Sequence, residues 1–166
     1  MRYGLLCSVL FAIAAVASAQ TKNTFSGKCA KPDNVQSIPA GDKDGHMFMV
    51  QTGKCTTEKG EVAGAKSKEG MYSEHGEATG TQSKVWGLYV ETYDGGDKIF
   101  YSYQGTTTAK AGGPASGANT WHLAGGTGKM KGIKGTGGCK FTGNADGGLD
   151  YTCTGEYTLG AAKKME

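Results

Sequence analysis

The sequence predicts an all-β protein, an eight-stranded antiparallel β-barrel held by two disulfides. Three observations carry that prediction. Glycine supplies 29 of 166 residues, far above the usual share of about 7%, yet it is scattered between short alternating segments without a collagen period. From Leu149 to Leu159 the odd positions read Leu149, Tyr151, Cys153, Gly155, Tyr157 and Leu159, and the even ones Asp150, Thr152, Thr154, Glu156 and Thr158. That alternation marks a half-buried strand. Beyond residue 19 no stretch shows a helical period.

Residues 1–19 stand apart from the domain. Arg2 precedes an apolar run from Leu5 to Ala17, and Ala17-Ser18-Ala19 offers a small-x-small cleavage site before Gln20. This reads as a secretory signal peptide, because the run is shorter than the ~20 apolar residues of a membrane span. Residues 20–166 are then expected to form one exported domain, periplasmic or secreted, with no membrane span of its own. Eight extended segments follow, at roughly 24–29, 46–55, 70–80, 85–93, 98–105, 118–124, 134–142 and 149–159. Pro32 to Asp44 and Lys110 to Gly117 read as loops, with Pro32, Pro39 and Pro114 marking them.

Two hairpins set the expected registers. Placing Cys139 opposite Cys153 centres a turn on Asp146, within Gly143-Asn144-Ala145-Asp146-Gly147-Gly148, and sets Phe141 opposite Tyr151. Around Asp94-Gly95-Gly96-Asp97, pairing Tyr93 with Lys98 gives Trp86, Leu88, Val90 and Thr92 a common face with Ile99, Tyr101, Tyr103 and Gly105. Gly87, Tyr89 and Glu91 then take the other face. Without Cys7, which leaves with the signal, four cysteines remain: Cys29, Cys55, Cys139 and Cys153. An even count in an exported chain argues for disulfides, and four cysteines allow three pairings. The hairpin register favours Cys139–Cys153 and leaves Cys29–Cys55. An open eight-stranded sheet would expose two edges, which closure into a barrel removes.

The composition narrows the chemistry. Once Arg2 leaves with the signal, every basic residue is lysine, and the whole chain carries a formal net charge of only +3. Nucleic-acid readout leans on the planar fork of arginine, so this balance argues against a nucleic-acid partner. Lys129, Lys131, Lys134 and Lys140 read as a solvated loop and strand edge. There is no Gly-x-Ser-x-Gly, no His-Glu-x-x-His and no Cys-x-x-Cys, so hydrolase signatures and a thiolate zinc site are lacking. His46, Met47, Met49, Met71 and His75 have no specific spacing for a soft metal. No metal and no cofactor is expected. Glu91 and Glu156 would be acid–base candidates if they faced a dry cavity, but the registers above put both on the outer, polar face.

One segment carries a resemblance. Gly125-Gly126-Thr127-Gly128-Lys129-Met130-Lys131-Gly132-Ile133-Lys134-Gly135 follows a Trp121-His122-Leu123 strand, and the strand beyond it ends in Gly155-Glu156-Tyr157. It resembles the late hairpins of the allene oxide cyclase and dirigent-type barrels, and is most similar to their small exported bacterial relatives. The resemblance spans roughly residues 46–159. It implies an eight-stranded barrel around an apolar cavity, acting on or orienting a small lipophilic molecule, usually without a cofactor. Its glycines are structural and carry no catalytic residue across. The expected ligand-binding face comprises Trp86, Leu88, Val90, Ile99, Tyr101, Tyr103, Trp121, Phe141 and Tyr151, which either lines a pocket or fills the barrel. Binding of a small lipophilic ligand is the expected function. A cofactor-free cyclase or isomerase, and a structural or surface-interaction protein with a filled core, are the alternatives.

Overall fold

Ten strands form in the computed structural model, which describes residues 20–110 and 113–160; the expected signal segment, residues 1–19, lies outside the described residues. They are β1 (Thr21–Cys29), β2 (Asn34–Pro39), β3 (His46–Lys59), β4 (Glu61–Val62), β5 (Ala65–Thr79), β6 (Gln82–Tyr93), β7 (Lys98–Lys110), β8 (Gly113–Gly126), β9 (Lys134–Gly143) and β10 (Leu149–Thr158). Eight of them close an antiparallel barrel in the order β1-β3-β5-β6-β7-β8-β9-β10, with β10 returning to β1. Both expected disulfides are present, Cys29–Cys55 and Cys139–Cys153. The fold is the predicted one.

Strand β3 makes the closure. Along Cys55–Gly70 to His46–Thr79 it pairs with β5, and at its far end it crosses to β1, from Cys29–Cys55 to Ser26–Lys59. This β1–β3 ladder is short and broken by a bulge between Ser26 and Gly27. Cys29–Cys55 clamps it where Cys55 meets both neighbours. The barrel's shortest seam therefore carries a covalent staple.

Two short strands depart from the sequence reading. The stretch expected as a loop from Pro32 to Asp44 contains β2, which lies along Met47–Thr52 as an outer rib on the edge of β3. Its side chains are exposed throughout, so no alternating pattern betrays it. Pro39 ends it, where a missing N–H costs nothing. Strand β4 turns through Ala63, at φ 51°, and Gly64 to tuck Val62 under the barrel. The other expected loop, Lys110 to Gly117, is mostly strand: β7 runs on to Lys110 and β8 starts at Gly113.

The late hairpin has the expected register, Cys139 opposite Cys153 and Phe141 opposite Tyr151. The β6–β7 hairpin does not. Tyr93 N–H donates to the Asp97 carbonyl at 2.8 Å, so the loop holds three residues, with Gly95 and Gly96 both at positive φ. Thr92 rather than Tyr93 therefore faces Lys98. A slip of one residue turns every side chain of a strand to the opposite face. Gly87, Tyr89, Glu91 and Tyr93 point into the barrel with Ile99, Tyr101 and Tyr103, while Trp86, Leu88 and Val90 point out.

One end of the barrel is sealed. The Gly125–Gly135 segment folds across it, with a 3-10 turn at Gly128–Met130 that drives Met130 and Ile133 inward beneath Val62, Tyr93 and Ile99. Met130 and Ile133 are 1% and 2% exposed. Asp97 holds the floor in place by accepting from the Lys129 N–H at 3.0 Å, and Thr127 accepts from the Lys98 N–H at 2.8 Å. The structural role read from those glycines is what they perform here.

The seam yields a prediction. Replacing Cys29 and Cys55 together by alanine is expected to lower stability by roughly 3–4 kcal/mol in urea titrations. Hydrogen exchange should accelerate first at the Ser26–Cys29 amides; uniform acceleration would contradict a weak seam.

Candidate functional site

The barrel interior is built from rings laid on glycines. A Cβ added at Gly53 would meet Tyr72, at Gly70 Tyr89, at Gly87 Tyr103, at Gly117 Phe141, at Gly27 Tyr151, and at either Gly137 or Gly155 Trp121. Each glycine is inward-facing, on a strand beside its ring except for Gly155, which lies one strand further on past Gly137. Each lets the ring lie along the wall instead of projecting to the axis. Above the floor this leaves a cavity of about 480 Å³, walled by Phe25, Tyr72, Tyr89, Tyr103, Trp121 and Phe141 among others. Its mouth is framed by Ala30, Pro32, Pro114, Ala115, Asn144 and Gly147, at the end opposite the floor. The interior is thus filled at one end and open at the other.

Of the residues expected to bind ligand, Tyr101, Tyr103, Trp121, Phe141 and Tyr151 border this cavity. Ile99 is also interior but belongs to the floor, fully buried. Trp86, Leu88 and Val90 are on the outer wall, rotated there by the three-residue loop between β6 and β7. His75 and Met71 are outside as well, on the face opposite Met47 and Met49, so the methionine–histidine group is not assembled. Among the described residues no group of three or more His, Cys, Asp or Glu side chains could hold a metal.

Glu91 is the largest correction. Expected on the outer face, it is 2% exposed at the top of the floor. Its carboxyl accepts from Thr57 at 2.6 Å, Tyr93 at 3.0 Å and Tyr101 at 3.3 Å. Thr57, having donated its proton there, accepts from Tyr151 at 2.9 Å. A buried carboxyl demands such partners, because leaving it unpaired costs far more than the bonds return. Glu156 lies on the outer face, as expected, opposite Lys22 and Thr136.

A second carboxyl, unmarked in the sequence reading, borders the cavity itself. Glu74 accepts from Gln51 Nε2 at 2.6 Å and from the Tyr103 hydroxyl at 2.9 Å. Burial raises its pKa above the ordinary carboxylate value, opposed by those two hydrogen bonds. Burial likewise pushes the phenols up, Tyr72 to about 12, with Tyr89, Tyr93, Tyr101, Tyr103 and Tyr151 raised as well. The negative carboxyls nearby add to this, Glu74 beside Tyr103 and Glu91 beside Tyr89 and Tyr101. These are neutral hydroxyl donors, not phenolate bases.

Three polar atoms bordering the cavity have no partner: Asn119 Oδ1 and Trp121 Nε1 on the wall, and Asn144 Oδ1 at the mouth. An indole N–H can only donate and a carboxamide oxygen can only accept. Burying such groups unpaired is unfavourable, and here one donor and two acceptors beside the cavity are left so. Trp121 stands edge-on to Tyr101, ring centroids 5.5 Å apart, so its N–H is fixed in direction.

No family model matches the chain, and no curated protein does. Among solved structures it is similar to two dirigent proteins and a demethylase. The pterocarpan synthase dirigent protein GePTS1 is 11% identical with a TM-score of 0.47, covering 93% of this chain and 100% of that one. PsPTS1, of the same description, is 11% identical with a TM-score of 0.44, over 85% and 95%. A pyocyanin demethylase is 17% identical with a TM-score of 0.39, over 82% and 99%. These are likenesses of the barrel fold, and they bring no residue or activity with them.

Two outcomes follow from the interior. In an unfolded chain tyrosines ionise near pH 10, whereas these six hold their protons beyond that. Above about pH 10 the folded state binds more protons than the unfolded one, so stability falls as pH rises. Phenolate absorbance should rise in one cooperative step with loss of near-ultraviolet dichroism; gradual titration of a folded barrel near pH 10 would contradict the burial. Gly137→Val, which drives a side chain into Trp121, is expected to cost about 1–3 kcal/mol by urea unfolding.

Proposed function

We propose that this barrel is an exported binding protein that takes a small, largely apolar molecule into its interior cavity. The single observation that carries the reading is the cavity with its unpaired atoms. A space of about 480 Å³, open at one end, is walled by aromatic rings, while a donor and an acceptor stand buried and unpartnered on its wall. Ligand sites have this character: mostly apolar, with a few placed polar groups that fix orientation. Among the described residues no lysine or arginine lines it, so the preferred ligand carries no anionic group. Support for export comes from the two disulfides, which persist in oxidising compartments, and from the signal-like residues 1–19. Among the described residues no helix is long and apolar enough to cross a membrane.

A cofactor-free isomerase or cyclase in the same cavity is the second reading, and Glu74 favours it. A carboxyl whose pKa is raised by burial, facing an apolar pocket beside a neutral phenol, is suited to proton transfer. On that reading Glu74→Gln would remove turnover and leave binding intact.

Native mass spectrometry of the exported protein, repeated under denaturing non-reducing conditions, tests the proposal. An adduct released on denaturation is expected, and it reports the ligand's mass. In parallel the neutral probe N-phenyl-1-naphthylamine should bind with enhanced fluorescence. Val85→Phe, which takes up cavity space, should abolish the signal. Asn119→Leu should weaken any adduct that donates to Oδ1 by roughly tenfold. A bare chain together with no probe fluorescence would overturn the reading.

A further inference from the structure

The outer wall carries a second concavity, separate from the interior and built by two ladders of side chains that cross the barrel strands. In one, Val50, His75, Trp86, Gln104 and Thr120 stand in register on β3, β5, β6, β7 and β8. In the next, Ser73, Leu88, Ser102, His122 and Thr136 do so on β5 to β9. Together they line a groove of about 890 Å³. Six strands at about 4.8 Å spacing make it roughly 24 Å long.

The chemistry of this band is unusual for a protein surface. Neither ladder contains a lysine, arginine, aspartate or glutamate. Glu74, which also borders the groove, turns its carboxyl inward to Gln51 and Tyr103. Charge returns in the row alongside, which runs Phe48, Glu77, Lys84, Thr106, Ala118 and Lys140. Within the band a Trp86 indole lies nearly parallel to the His75 ring, centroids 5.8 Å apart. Val50 and Leu88 beside it are both 57% exposed. Around these apolar surfaces stand hydroxyls, an amide and imidazoles, side chains that can both donate and accept.

We infer that this groove binds a linear, uncharged oligosaccharide. A sugar ring has an apolar face of C–H groups, which packs on an aromatic ring and aliphatic side chains, and a rim of hydroxyls that need both donors and acceptors. The groove offers that combination repeatedly along its length. With no lysine, arginine or outward-facing carboxylate in its lining, it disfavours phosphates, nucleic acid and other charged polymers. Its elongation fits a chain better than a single sugar. The site lies on the outer side of the wall, and Glu74, Tyr103 and Trp121 border both it and the interior cavity.

The test uses the whole exported protein with named probes: pull-down on insoluble cellulose, chitin and starch, and calorimetry with cellohexaose, chitohexaose and maltohexaose. At least one probe is expected to bind, with an affinity that does not change as salt is raised. Trp86→Ala and Ser102→Arg, two outward substitutions at the centre of the groove, should each weaken it by at least about tenfold with unaltered thermal melts. Three outcomes would overturn the inference. One is that no probe binds. Another is that binding survives both substitutions. The last is that sedimentation finds the wild type self-associated and both variants monomeric, which makes the face a contact between copies.

Discussion

Everything inside this barrel depends on the pairing of a ring with a glycine. Eight strands enclose a width that side chains alone can fill, and rings pointing to the axis would leave no space. Here most of the large rings rest on a neighbouring strand at a position without a Cβ: Tyr72 on Gly53, Tyr89 on Gly70, Tyr103 on Gly87, Phe141 on Gly117, Tyr151 on Gly27. Trp121, the widest, needs two, Gly137 and Gly155. The rings plaster the wall, gain their burial there, and leave the axis free. The abundance of glycine is thus a requirement for interior space as well as for turns.

The same arrangement divides the interior in two. At the sealed end Gly126 backs directly onto Met130, and Val62, Ile99, Met130 and Ile133 pack into a solid floor. Glu91 sits at the boundary, satisfied by hydroxyls from Thr57, Tyr93 and Tyr101, which ties β3, β6 and β7 together across the barrel. Beyond it Asn119, Trp121 and Asn144 leave polar atoms unpaired beside the chamber, while Ser67 Oγ is unpaired at the sealed end. A closed floor and an open chamber are what distinguish this interior from that of a filled barrel.

Much of this was legible in the residues. The alternation from Leu149 to Leu159, the cysteine spacing and the turn residues around Asp146 sufficed for the late hairpin, and five of the cavity's aromatic residues followed from their strands. The β6–β7 hairpin misled because both faces of β6 are plausible interiors. Trp86, Leu88 and Val90 look like core, and Glu91 does not. Loop length decided the register, and Asp94-Gly95-Gly96-Asp97 is compatible with three or four loop residues until the Tyr93–Asp97 bond is known. Glu74 was hidden for a similar reason: it lies among Ser73, His75 and Glu77 with no apolar alternation to assign it a side. Strand β2, exposed on every residue, had no burial pattern to read.

The chain contains two tryptophans, one on each side of the wall, and their indole N–H resonances report on the two surfaces separately. The most direct test of an accessible interior is a proton–nitrogen correlation spectrum recorded while the neutral aromatic 1-naphthol is added. The Trp121 resonance should shift progressively and saturate as its N–H finds an acceptor inside the barrel. A Trp121 resonance that stays fixed through the titration would mean that the chamber admits nothing, and that the rings on their glycines close the barrel instead of opening it.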